Sequence, residues 1–67
     1  MHNPVITLFQ STEILLDLDM VQSWIDQARI AAPTNQFVQN QLDYRQAEVN
    51  TKRAQIELTM LAIAQSN

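Results

Sequence analysis

The stretch AAPTNQF, residues 31–37, divides the 67-residue chain into two helical patterns. Pro33 disfavours helical dihedral angles at Ala32, so the first pattern ends there. Thr34 or Asn35 can accept hydrogen bonds from the first free N–H groups of the helix that follows. A connection of so few residues makes consecutive helices antiparallel neighbours. The sequence therefore predicts an all-α protein, an antiparallel two-helix hairpin.

The predicted hairpin is a single domain with four parts. They are an arm of residues 1–10, helix A of residues 11–32, a turn of residues 33–35 and helix B of residues 36–66. The arm is predicted because Pro4 disfavours helix at the residue before it, and the VITLF that follows is β-prone but short. Ser11 or Thr12 can act as the N-cap of helix A, and Glu13 suits the positive end of the helix dipole.

The composition excludes several classes of protein. The chain has no cysteine, and therefore no disulfide framework and no cysteine-based metal or redox site. It has no glycine, and therefore no Gly-rich phosphate-binding loop. The N-terminus lacks the basic region of a signal peptide, and the longest apolar run, MLAIA at residues 60–64, is much shorter than a membrane span. We expect a cytoplasmic protein without cofactors and without membrane contact.

The charged residues offer little chemistry. The net charge is −3, and residues 11–32 hold four carboxylates against one arginine, whereas residues 33–67 are balanced. An acidic first half disfavours nucleic acid as a partner. His2, the single histidine, lies near the chain end without metal-ligand neighbours. The acidic pairs of helix A lack a glycine loop or a histidine, and are typical of a solvated face. We therefore predict that the protein is not an enzyme and holds no metal.

The apolar residues form one seam on helix A and two stripes on helix B. The seam and the first stripe have the three- and four-residue steps of packed helices, and the second stripe recurs every seven residues. The helix A seam is Ile14, Leu18, Val21, Ile25, Ala28 and Ala32, widened on one flank by Met20 and Trp24. The first stripe of helix B is Phe37, Asn40, Tyr44, Ala47, Thr51, Ala54, Leu58 and Leu61. The second stripe, on the opposite side, is Leu42, Val49, Ile56 and Ile63, flanked by Val38 and Met60.

Residue size favours the first stripe as the side of helix B that faces helix A. Ala47, Thr51 and Ala54 are small and would interdigitate with the large side chains of helix A. The arm would fold back over the end of the stripe, at Leu58 and Leu61. The second stripe would then be free for a partner. The predicted partner-binding residues are Leu42, Val49, Ile56, Ile63, Val38 and Met60, with the neighbouring basic residues Arg45 and Lys52.

A two-helix hairpin buries its apolar side chains only in part, and chains of this size commonly need a disulfide, a metal or an association to be stable. Association is the remaining option here. The first hypothesis is a chaperone or adaptor that binds another protein through helix B. The alternative is a homodimeric four-helix bundle, which is a structural or regulatory module. Nucleic-acid binding through Arg45, Lys52 and Arg53 is a weaker third hypothesis, because these basic side chains would form ion pairs with neighbouring carboxylates of the same helix.

The layout resembles that of the small E-type helical-hairpin chaperones of bacterial type III secretion, the Ysc/Psc/Esc needle-chaperone subunits. The likeness lies in the size, the two antiparallel helices and the NQFVQNQ segment, residues 35–41, just after the turn. The resemblance implies a cytosolic hairpin that, with a helical-repeat chaperone, keeps an aggregation-prone needle subunit soluble. It also implies docking through the second stripe.

Overall fold

The computed structural model describes residues 4–66, with the side chains of all of these except residues 4 and 6. Helix α1 spans Pro4–Ala31 and helix α2 spans Gln36–Gln65. The two helices pack against each other as an antiparallel hairpin of 49 × 16 × 15 Å. The prediction of an all-α hairpin is confirmed, and the described residues contain no strand.

Helix α1 begins at Pro4 rather than at residue 11, so the prediction of an arm is wrong for residues 4–10. Residues 1–3 lie outside the described part of the chain. Proline suits the first helical position because its φ is preset and its missing N–H would be unpaired there. No glycine or further proline interrupts the chain before residue 33, and β-branched residues cost a helix only a few tenths of a kcal/mol each, roughly.

The predicted N-caps of the first helix, Ser11 and Thr12, are also wrong, because both residues lie within α1. The Thr12 hydroxyl donates to the backbone carbonyl of Leu8 at 2.9 Å. Ser11 is the buried polar residue of the hairpin, only 3% exposed, and it occupies a position on the face of α1 that packs against α2.

The connection between the helices covers residues 32–35. The predicted turn, residues 33–35, is therefore correct to within one residue. Asn35 is the N-cap of α2, and its side chain accepts a hydrogen bond from the backbone N–H of Val38 at 3.1 Å. The amide of Gln39 donates to the carbonyl of Ala32 at 2.8 Å and so ties the start of α2 to the end of α1. Side chains therefore satisfy backbone groups at both helix ends next to the turn.

We expect Asn35→Ala to lower the free energy of unfolding by about 1 kcal/mol, because the first turn of α2 loses its cap. Urea denaturation followed by circular dichroism measures the change. Thr34→Ala is the matched control, since Thr34 is exposed in the same turn and does not cap the helix. Equal destabilisation by both substitutions would contradict the assignment of the cap.

The seam between the helices follows a strict heptad spacing on both sides. On α1 its positions are Ser11, Leu15, Leu18, Gln22, Ile25 and Arg29, and on α2 they are Gln39, Leu42, Gln46, Val49, Arg53, Ile56, Met60 and Ile63; all are buried or half-buried. The buried apolar core within it is small and consists of Leu18, Ile25 and Val49, with Leu15, Val21 and Leu42 packed against it.

The predicted seam of the first helix is confirmed in large part. Its members from Leu18 to Ala32 are buried or half-buried, but Leu15 replaces Ile14, which is 40% exposed. Met20 and Trp24 were predicted to widen the seam and instead lie exposed.

The predicted orientation of the second helix is wrong. Its second stripe faces α1, and Val49 of that stripe is 4% exposed. The first stripe faces outward, with Phe37, Tyr44, Leu58 and Leu61 exposed by 72%, 66%, 65% and 52%. No arm covers Leu58 and Leu61, because residues 4–10 continue helix α1. The first stripe has three- and four-residue steps and the second recurs every seven residues. Both spacings fit a packed helix, so spacing alone does not select between the stripes.

Candidate protein-interaction surface

The outer face of α2 is a continuous line of exposed residues with no charged member. The first stripe runs from Phe37 to Leu61, which is about 36 Å at a rise of about 1.5 Å per residue. All of its members are exposed. Four of its eight members, Phe37, Tyr44, Leu58 and Leu61, are large side chains left exposed, and an exposed apolar line of this kind is a candidate interaction surface. It is the strongest candidate site among the described residues.

The middle of the first stripe forms a shallow open depression. Its lining residues are Tyr44, Ala47, Glu48, Thr51, Lys52 and Gln55. Ala47 and Thr51 have short side chains, so they leave room for large side chains from another helix. Tyr44 stands at one end, where an aromatic ring with a polar tip can serve as an interface anchor. The sequence analysis relied on the same small residues, but it predicted that they pack against helix A.

Hydrogen-bonded polar side chains in the seam between α1 and α2 fix the register of the two helices. Gln22 and Gln46 form a reciprocal amide pair, with Nε2 to Oε1 distances of 2.7 and 2.6 Å. Closer to the turn, Arg29 donates to Gln39 at 3.1 Å and to Asp43 at 2.9 Å. These pairs are formed only when the second stripe faces α1. They therefore help to select the face of α2 that packs inward, as polar seam residues do in coiled coils.

Farther from the turn, Arg53 donates to Asp19 across the helices at 2.6 Å. The groups of these ion pairs keep part of their surface in water, so each pair stabilises the hairpin by only about 0–1 kcal/mol. Their main effect is on the register and the choice of face.

We expect the double variant Gln22→Leu, Gln46→Leu to raise the free energy of unfolding by about 1–2 kcal/mol. The two leucines would replace a polar pair in the seam and make the apolar packing continuous from Leu18 to Ile25. Either single variant should gain less than half as much, since the remaining amide loses a hydrogen-bonding partner. Urea midpoints at matched protein concentration measure the effect. A double variant less stable than the wild type would show that the amide pair contributes net stability.

In the structure, the predicted partner-binding residues fall into three groups, which are buried in the core, half-buried or exposed. Leu42 and Val49 belong to the hairpin's own core. The other apolar members, Val38, Ile56, Met60 and Ile63, are half-buried. Arg45 and Lys52 are exposed and line, with Glu48, a groove at the side of the seam. Partner contact by these half-buried and exposed residues stays a prediction, but the stripe as a whole is not a free surface.

The basic residues are mostly engaged in ion pairs. Arg45 contacts Glu48 at 3.2 Å, and Arg53 contacts Asp19 on the other helix. Arg29 is engaged with Asp43. Within the described residues, which include every lysine and arginine of the chain, Lys52 alone has no ion pair. The basic patch that a nucleic-acid interface requires is therefore reduced to one free cation.

The outer face of α1 carries a second apolar line. Its large residues are Phe9, Leu16, Met20 and Ile30, each more than half exposed. Phe9, Leu16 and Ile30 are separated by seven and fourteen residues, and this spacing was the signal available in the sequence. Glu13, Ser23 and Gln27 occupy the intervening heptad positions, so this line is more polar than the first stripe of α2.

The described residues contain no group of His, Cys, Asp and Glu side chains arranged to hold a metal ion. Neither of the two described helices has the length and apolar character needed to cross a membrane. The fold and surface thus define a class, the all-α antiparallel helical hairpin with an exposed apolar line on the outer face of α2. No protein-family model, curated protein or solved structure matches the chain.

Proposed function

We propose that the protein is a non-enzymatic interaction module that binds another protein through the first stripe of α2. The observation that carries the proposal is the uncharged, heptad-spaced line from Phe37 to Leu61 on a hairpin with few buried apolar side chains. A partner helix lying along this line would continue the coiled-coil packing of the hairpin into a three-helix arrangement.

Binding and folding are coupled in this proposal. The buried core contains three apolar side chains, and the seam includes glutamine and arginine positions, so the hairpin by itself is only marginally stable. A partner that binds the folded hairpin stabilises it by mass action. The same property suits a small chaperone or adaptor that is assembled together with its client.

The finer form of the proposal rests on the layout resemblance to the type III secretion hairpin chaperones. In that form the protein acts in the cytoplasm, and its partners are a helical-repeat chaperone and an aggregation-prone needle subunit. The docking face would be the outer face of α2 rather than the second stripe. Co-expression with the products of neighbouring genes tests this form, which requires a complex of fixed stoichiometry.

The general proposal is tested with a designed 25-residue helical peptide that has leucine at the a and d positions and glutamine at the flanking positions. We expect the peptide to bind the wild-type hairpin, with affinity reduced about tenfold by Tyr44→Ala. Trp24→Ala is the matched control, because Trp24 is similarly exposed but lies on α1. Fluorescence anisotropy of labelled peptide at nanomolar concentration measures binding. An absence of binding, or equal losses in both variants, would contradict the proposal.

A homodimeric four-helix bundle is the second candidate function. The heptad spacing of the first stripe favours it, because two copies could align Phe37 of one with Leu61 of the other in an antiparallel pair. Sedimentation of the purified chain separates the candidates. A discrete, cooperatively melting dimer would support the bundle, whereas a marginal monomer supports binding to a different protein.

A further inference from the structure

We infer that Pro33 decides between two arrangements of the same seam, the hairpin and an antiparallel dimer in which two copies of the chain exchange helices. In this swapped dimer, α1 and α2 of each copy join into one long helix, and each α1 packs against the α2 of the other copy. The partner is a second copy of the chain, and the contact surface is the seam. The first stripe of α2 takes no part, so the swapped dimer is independent of the proposed function.

The seam positions continue through the turn in one seven-residue series. Its members, all buried or half-buried, are Ser11, Leu18, Ile25, Ala32, Gln39, Gln46, Arg53 and Met60. Between Arg29 of α1 and Gln39 of α2 the steps are three, three and four residues, by way of residues 32 and 35. Coiled coils accommodate two consecutive three-residue steps by a local change in winding. A straight helix of residues 4–65 would therefore carry one seam along its whole length.

The contacts across the seam are symmetric about the turn, so two straight chains would repeat them. Gln22 and Gln46 each lie twelve residues from residue 34, and Arg29 and Gln39 each lie five residues from it. Two long helices that cross antiparallel at residue 34 would place Gln22 of one copy opposite Gln46 of the other, twice in each dimer. The contacts between the helices therefore do not by themselves favour the hairpin over the swapped dimer.

The backbone of the turn departs little from a helix. Within residues 4–66 no residue has a positive φ, and the turn contains no glycine. The backbone N–H of Ala32 donates to the carbonyl of Ala28 at 3.1 Å, which continues the α-helical pattern beyond the end of α1. Straightening the connection would remove the N-cap contact of Asn35, but losing a cap destabilises a helix less than an interior proline does.

Pro33 is the main obstacle to one continuous helix. In a helix interior it would lack the N–H that bonds to the carbonyl of Arg29, and its ring would clash with that carbonyl. The swapped dimer would meet this cost in both copies. The hairpin avoids it, because the chain turns at residue 33 and the side chain of Pro33 is exposed there. Pro33 therefore keeps the two helices of one chain together.

Cross-linking of paired cysteines tests the inference, and the chain has no native cysteine to interfere. The variant Gln22→Cys, Gln46→Cys carries one thiol on each helix, at positions whose side chains are in contact across the seam. A short bis-maleimide joins these thiols within one chain in the hairpin and between two chains in the swapped dimer. Denaturing electrophoresis separates the two products by mass.

We expect the chain with Pro33 to give links within one chain. After unfolding and refolding at about 100 µM, Pro33→Ala should give at least about tenfold more links between chains, because alanine removes the obstacle in both copies. Its helical circular dichroism should rise, and small-angle X-ray scattering should show a particle longer than the 49 Å hairpin, approaching about 93 Å. Thr34→Ala is the matched control, because it adds an alanine to the same turn and leaves Pro33 in place.

Each outcome supports or overturns the inference. Links confined to single chains in Pro33→Ala, or a loss of its helical signal, would overturn it. A Pro33→Ala dimer with such links would be two intact hairpins joined by their outer faces, as in the homodimeric bundle. Equal linking between chains in Pro33→Ala and Thr34→Ala, or in Pro33→Ala and the chain with Pro33, would show that Pro33 does not decide the arrangement.

Discussion

Val49→Asp is expected to unfold the hairpin. Val49 is 4% exposed and lies in the core with Leu18 and Ile25, so the substitution buries a carboxylate without a partner. The cost is about 3 kcal/mol or more, which is comparable to the whole stability of a domain of this size. Far-ultraviolet circular dichroism should show loss of most of the helical signal at 25 °C.

Thr51→Asp is the control for this experiment. Thr51 lies two residues from Val49 but on the exposed first stripe, and threonine and aspartate have nearly equal helix propensities. We expect this variant to retain the helical signal. If instead Thr51→Asp unfolds the chain and Val49→Asp does not, then the first stripe is the inner face, and the orientation of α2 described above is wrong.

Leu58→Asp is expected to abolish partner binding while leaving the hairpin folded. Leu58 is 65% exposed, so a carboxylate there remains solvated in the free protein. In the complex it would be desolvated against an apolar side chain, which should weaken binding about 100-fold or more. The glutamine-flanked peptide is the probe because its flanks carry no charge.

Leu16→Asp is the matched control, because Leu16 is exposed to a similar extent, 62%, on the outer face of α1. We expect this variant to bind the peptide as the wild type does, and both variants to keep the wild-type helical signal. Equal loss of binding in the two variants would mean that the peptide contacts both helices, or that binding reflects charge alone.

The hairpin itself could be predicted from the sequence because local signals agree. Pro33 ends one helix, and Asn35 caps the next. Apart from Pro4, the remaining positions lack any strong helix breaker. The start of α1 was harder to predict, because Pro4 is compatible both with an extended arm and with the first position of a helix. Only the continuation of the helix through residues 4–10 distinguishes the two cases.

The face of α2 that packs inward could not be predicted from spacing, because the spacings of both stripes fit a heptad repeat. The structure shows a signal that the sequence analysis did not use. Gln22 lies opposite Gln46, and Arg29 lies opposite Gln39, when the helices are paired about the turn. Polar residues in register on two helices select an antiparallel pairing, even though they contribute less stability than leucine would.

The wrong face assignment changes where function is sought. The branched side chains of the second stripe fill the seam, and the smaller and more polar first stripe remains outside. A surface with Ala47, Thr51 and Ala54 between Tyr44 and Leu58 is suited to receive side chains rather than to insert its own. This asymmetry favours a different partner over a second copy.

The most direct test is thiol labelling of single-cysteine variants, which is simple because the chain has no native cysteine. Val49→Cys should react roughly 100-fold more slowly than the same variant in urea when the hairpin is free, and more slowly still when the peptide is bound. Leu58→Cys should react at nearly the unfolded rate when the hairpin is free, and slowly when the glutamine-flanked peptide is bound. Rapid labelling at Val49→Cys with slow labelling at Leu58→Cys in the free monomer would contradict the account.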